Sequence, residues 1–158
     1  CPVLLIKREL PAIRKVLLAM DRSEGAEQAA RFLADQSLFS PCRMIVLTAC
    51  PSPPFAGLLP ETLRHHGLAS ASEYLRTVKE RLSSRGYTVE PLIVEGDPAA
   101  VILSHAESEE IDLVVTGTGG LHGVMKRWLL GSVSRKVLAH SSKAVLIVPA
   151  GSGHAVAA

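Results

Sequence analysis

"IRKVLLAMDRSEGAEQAARFLADQSLF" (residues 13–39) holds two patterns side by side, and together they decide the fold. The first nine residues carry a continuous apolar run, the mark of a strand buried on both faces as in a parallel sheet. The rest changes period. Ala26, Ala29, Ala30, Leu33 and Leu38 fall close to one helical face. Ser23 or Asp21 stands where a helix cap is needed, and Glu24 and Glu27 lie in the first turn, where the helix dipole favours acids. A buried strand that runs directly into an amphipathic helix is one βα unit.

The unit repeats along the chain. "CRMIVLTAC" (42–50) is a second buried strand, followed by "PSPPFAGLLP" (51–60), too rich in Pro and Gly for regular structure. Residues 61–85 read as a helix with Leu68, Ala71, Leu75, Val78 and Leu82 as its apolar stripe and Gly86 as C-cap. "TVEPLIVEG" (88–96) is a third strand, and its Pro91 suits a sheet edge, where a missing N–H costs nothing. Asp97 as N-cap and Pro98 at the first helical position open the next helix. "IDLVVTG" (111–117), a helix over 132–141 with Val133, Val137 and Leu138 facing inward, and "KAVLIVP" (143–149) complete the series. Alternating strands and helices without hairpin signals predict a three-layer α/β/α domain around a five-stranded parallel sheet. Ligands of such sheets bind beyond the carboxyl ends of the strands. Asp21, Ala49, Cys50, Gly96, Asp97 and the glycines after Val115 are therefore expected to converge. Residues 58–70 follow the second strand's carboxyl end and are expected to act as a lid.

Composition narrows the function classes. The chain has 158 residues, 47% hydrophobic and 20% charged, which is the range of one globular domain. A net charge of +2 gives no electrostatic case for nucleic-acid or membrane partners. Cys1, Cys42 and Cys50, an odd number without CxxC spacing, fit neither a disulfide framework nor a zinc site and suit a reducing cytoplasm. The adjacent His65 and His66 point apart on a helix and do not make a metal pair. No GxSxG elbow, general base or nucleophile stands out, so no enzymatic role is expected. Trp128 reads as a loop anchor packed on the core rather than a base-stacking platform.

The stretch with chemical content is "TGTGGLHGVMKRWLLGS" (116–132). Gly117, Gly119, Gly120 and Gly123 allow close approach of backbone N–H groups, and Gly131 and Ser132 open a helix whose free N–H groups favour an anion. Residues 113–148 hold five basic side chains (Lys126, Arg127, Arg135, Lys136, Lys143) and no acid. The stretch matches neither GxxxxGK[ST] nor GxGxxG. From the residues alone, a phosphate cradle and a structural loop stay equally open.

"GTGG…LLGSVSRKVLAHSSKAVLIVP", with "VLLAMDRSEGAEQAA" and "EGDPAAVI", resembles the universal stress protein family over residues 13–149, in particular its ATP-binding branch. The resemblance implies strand order 3-2-1-4-5 and a site for ATP with Mg²⁺ in a stress-response sensor or switch. It implies phosphates near Gly117, Gly120, Gly131, Ser132 and Ser134. It implies ribose and adenosine contacts from Asp21, adenine against Ala49, and further nucleotide contacts from Ala19, Met20, Thr116, Gly119 and Val133. Ten residues separate Gly120 from Gly131, one more than the family's spacing. The family's other branch, a dimeric interaction module without nucleotide, is the alternative.

The N-terminus repeats the last strand. Pro2, Val3, Leu4, Leu5 and Ile6 parallel Ala144, Val145, Leu146, Ile147 and Val148. Residues 1–12 are accordingly expected to be the end of a preceding copy plus a linker, 13–149 the domain, and 150–158 a mobile tail. Residues 3–6 are expected to pair antiparallel with the fifth strand of the domain, within one chain or between two, as an intramolecular tandem or a homodimer.

Overall fold

The computed structural model describes residues 2–6, 12–37, 39–50, 61–118 and 130–150. The elements are β1 (Val3–Leu5), β2 (Lys15–Ala19), α1 (Glu24–Gln36), β3 (Arg43–Cys50), α2 (Glu61–Ser83), β4 (Thr88–Glu95), α3 (Pro98–Ser108), β5 (Leu113–Gly117), α4 (Ser132–His140) and β6 (Ala144–Val148). They form one six-stranded sheet in the order β1-β6-β5-β2-β3-β4. β2 to β6 are parallel to one another, and these five expected strands lie in the expected 3-2-1-4-5 order. β1 is the extra antiparallel strand, with Val3 opposite Ile147, Leu4 opposite Leu146 and Leu5 opposite Val145.

The two-residue period of each strand divides the core into two layers. Val16 and Leu18 of β2 join Ala29, Ala30 and Leu33 of α1 and Leu75, Val78 and Leu82 of α2 on one face. Leu17 joins Ile45 and Leu47 of β3, Val101, Ile102 and Ala106 of α3 and Val137 of α4 on the other. The central strands therefore carry apolar side chains on both faces.

Local signals act as the sequence suggests, with one difference. Of the two candidate caps, Ser23 caps α1 by accepting from the Ala26 N–H at 3.2 Å. Asp97 caps α3 by accepting from the Ala100 N–H at 3.0 Å, with Pro98 in the first turn. Pro91 lies on β4, an edge of the sheet. Gly86 takes φ 90° in the turn after α2. The stripe of α2 is shorter than its periodicity predicts. Ala71, Leu75, Val78 and Leu82 are buried, but Leu68 is 46% exposed, its neighbours at 67, 69 and 70 are exposed too, and burial begins at Ala71. Residues 61–70 form those turns, while 58–60 of the expected lid, Leu38, and 151–158 of the expected tail lie outside the described residues.

Candidate functional site

Beyond the carboxyl ends of β2, β3 and β5 a crevice of about 720 Å³ opens. This lies within the size range of small-molecule and cofactor pockets. Ten of the twelve residues assigned to nucleotide binding line it: Ala19, Met20, Asp21, Ala49, Thr116, Gly117, Gly131, Ser132, Val133 and Ser134, whereas Cys50, Gly96 and Asp97, also expected to converge here, are not among its lining. Gly119 and Gly120 lie outside the described residues.

One side of the crevice is apolar. Ala19 and Ala49 end their strands with small side chains, and Leu47, Pro98 and Ile102 complete the wall. Sequence reading missed Leu47, Pro98 and Ile102. Pro98 and Ile102 are one helical turn apart on α3, which itself begins at a strand's carboxyl end. That spacing was the available signal.

The opposite side is built from α4. Gly131 is its N-cap and offers no side-chain hydrogen bond to the first turn. The first N–H groups of the helix are thus left for a ligand or water. Ser134 is deeply buried, and its hydroxyl donates to the Gly117 carbonyl at 2.7 Å while lying 3.2 Å from Thr116 Oγ1. That hydroxyl fastens α4 to the end of β5. The ligand-facing capacity of the α4 start lies in its backbone and in Ser132.

Two glycines explain how α1 and β5 meet here. A Cβ on Gly117 would stand 2.0 Å from the Gly25 carbonyl carbon, and one on Gly25 would stand 2.1 Å from the Thr118 carbonyl oxygen. Neither position admits a side chain, so α1 begins directly against the backbone that leaves β5.

The polar rim follows from the β2–α1 turn. The Asp21 carboxylate accepts from the Ser23 N–H at 2.9 Å, and Arg22 is held at φ 63°, unusual for a residue with a side chain. Asp21, Arg22 and Glu24 line the crevice, joined by Arg135 from α4. Arg22, Glu24 and Arg135 were also missed; each adjoins or nearly adjoins a residue that was not. Arg22 leaves the crevice sideways. Its guanidinium lies 5.2 Å from the centre of the Tyr74 ring and donates to Ser70 Oγ at 2.9 Å. Behind it the Tyr74 hydroxyl donates to Glu27 at 2.5 Å, and Arg81 donates to the other Glu27 oxygen at 3.0 Å. Burial alone would raise the Glu27 carboxyl, but these two hydrogen bonds, together with the charges of Arg81 and Arg31, outweigh it and hold the group below the usual carboxylate range. Burial and then Glu27 push the Tyr74 hydroxyl well above the usual phenol range.

Among the described residues no group of three His, Cys, Asp or Glu side chains is placed to hold a metal ion. None of the described helices is long and apolar enough to cross a membrane.

The profile of the universal stress protein family matches residues 12–149. The universal stress protein in the QAH/OAS sulfhydrylase 3' region of Thermus aquaticus is 34% identical over 140 residues, which are 85% of this chain and 98% of that protein. Universal stress protein YxiE of Bacillus subtilis is 35% identical over 88 residues, 56% of this chain and 59% of that protein. Among solved structures, MJ0577 of Methanocaldococcus jannaschii superposes with a TM-score of 0.77 at 28% identity, over 87% of this chain and 96% of that one. A universal stress protein crystallised in complex with cAMP superposes with a TM-score of 0.64 at 27% identity, over 87% of this chain and 98% of that one.

Proposed function

This chain belongs to the universal stress protein family, and we propose that its crevice binds ATP, serving as a sensor or switch in the cytoplasmic stress response rather than as an enzyme. The observation that carries this reading is the single crevice of about 720 Å³ that collects the small strand-end residues, the β2 acid and the uncapped start of α4. A base fits the apolar wall, where Ala19 and Ala49 leave room beside Leu47 and Ile102. Asp21 stands at the rim for a ribose hydroxyl. Phosphate oxygens suit the backbone N–H groups at the start of α4, whose dipole favours negative charge. That a similar universal stress protein was crystallised in complex with cAMP supports a nucleotide as the kind of ligand.

The donor set also fits the way Mg²⁺ would come. With no three-ligand acidic cluster among the described residues, the ion would be held by phosphate oxygens and water, the usual arrangement for nucleotide-bound Mg²⁺. Acid extraction of the purified protein with mass identification of the released compound, followed by calorimetry with Mg-ATP, tests the reading. A nucleotide in the extract and saturable binding are expected. Absence of binding at millimolar Mg-ATP to folded protein would replace it with the interaction-module reading.

One observation bears on assembly. β1 occupies the edge of β6 with only three residue pairs, and Val3, Leu4, Leu5 and Ile6 stay 39–55% exposed. A strand apolar on both faces yet covered on neither suits the last strand of a neighbouring copy of this fold, in tandem or as a dimer. Deleting residues 1–10 tests this: a change in oligomeric mass or a loss of solubility is expected, and an equally soluble protein of unchanged mass would refute it.

A further inference from the structure

Arg22 faces two spaces. Besides the crevice it lines a shallow cavity of about 460 Å³ on the outer side, formed with Glu27, Ser70, Glu73, Tyr74 and Thr77. That cavity contains two carboxylates, yet Arg22 pairs with neither. Glu27 is engaged by Tyr74 and Arg81, and Glu73 by Arg76. Arg22 rests instead on two neutral partners, the Tyr74 ring and the Ser70 hydroxyl. Its backbone, meanwhile, is fixed at the crevice mouth by the φ 63° turn between Asp21 and α1.

We propose that Arg22 is an anion-binding residue of the crevice, stored on α2 while the crevice is free and recruited by the phosphates of a bound nucleotide. This rests on the nucleotide reading of the crevice and goes beyond it. A guanidinium forms stronger, charge-assisted hydrogen bonds with phosphate than with a hydroxyl or an exposed ring. Only the side chain has to turn, because the strained backbone is already in place. The crevice rim needs the charge: its described acids, Asp21 and Glu24, balance Arg22 and Arg135. Recruitment also has a mechanical result. Arg22 ties the β2 rim to Ser70 and Tyr74, where the exposed part of α2 meets its packed part, so its departure loosens α2 at that junction. Occupancy of the crevice is thereby conveyed to the outer surface of α2, and by linkage the α2 contacts hold affinity down.

The test compares Mg-ATP and adenosine binding in the wild-type chain, R22Q, R22K, S70A and Y74L, with hydrogen exchange of residues 67–78. R22Q should bind ATP about tenfold more weakly with adenosine affinity unchanged, and R22K should recover part of the loss. S70A and Y74L remove resting partners and should each bind ATP about two- to threefold more tightly. ATP should accelerate exchange over 67–78 in the wild type and not in R22Q. If the wild type binds ATP and R22Q binds it equally, or if S70A and Y74L, folded by circular dichroism, show no gain, Arg22 has no such role while the nucleotide reading stands. If the folded wild type binds neither compound, both fall.

Discussion

Gly25 and Gly117 touch backbone to backbone: a Cβ on Gly117 would sit 2.0 Å from the Gly25 carbonyl carbon. The contact joins the first turn of α1 to the last residue of β5, on the floor of the crevice. Alanine at either position has no side-chain end to push aside, only peptide groups of the neighbouring element. G25A and G117A are each expected to destabilise the fold by about 2 kcal/mol or more, in the range of overpacking substitutions. Urea denaturation measures this. A change within about 0.5 kcal/mol, the size usual for surface substitutions, would show that the two elements can part freely.

The start of α4 permits a clean deletion of one backbone donor. Gly131 has φ −61° and ψ 164°, an extended conformation that a following proline accepts, and Ser132 is the first helical residue. S132P should therefore fold normally while losing the first N–H of the helix. Calorimetry is expected to show ATP binding weakened about tenfold, with adenosine affinity unchanged, since a charge-assisted hydrogen bond is lost. S132A, which keeps the N–H, should lose less. Equal ATP affinity in wild type and S132P would remove the α4 start from the phosphate site.

Glu27 makes stability depend on pH with a defined sign. Its folded carboxyl lies below the ordinary value of 4.5, held there by Tyr74 and Arg81 against the effect of burial. The stabilisation is fully present above 4.5 and disappears as pH falls through the lowered folded value. In urea titrations, the gap between wild type and E27Q should hold from pH 7 to about 4.5 and then close. A gap that widens on acidification would mean the carboxylate is not stabilised in the folded state.

The cysteines of β3 and its approach should react unequally. Cys42 is buried, and burial, followed by the nearby Asp112 charge, raises its thiol to about 11. Cys50, at the other end of the strand, is only partly buried. Iodoacetamide at pH 8 is expected to modify Cys50 and spare Cys42 in the folded protein, and to modify both in urea. Mass mapping reads this directly, and early labelling of Cys42 would contradict its burial.

The layout was legible because its causes are local. The apolar run at 16–18, the caps Ser23 and Asp97 and the edge proline Pro91 each act through near neighbours or through burial of a whole strand. The crevice was legible for a related reason: in a parallel sheet the carboxyl ends must share one side, so residues after Ala19, Ala49 and Thr116 had to meet. What stayed hidden depends on contacts distant in sequence. Gly25 carried no signal because its reason is Thr118, which follows a strand far away in sequence. Ser134 looked like a free donor because its acceptor is the carbonyl of Gly117. Arg22 gave no sign, since its partners Ser70 and Tyr74 belong to α2. Leu68 was overread, because helical period alone does not tell where a core ends.

The two rims of the sheet are unlike. On β4, Pro91 lacks an N–H and Glu90 and Glu95 bring like charges, so another strand gains little by joining there. On the other side, among the described residues, three residue pairs of β1 cover β6. The two rims therefore differ in how readily they would take another strand. Were two such sheets to join by their receptive rims, the result would be a closed pair and not a fibre.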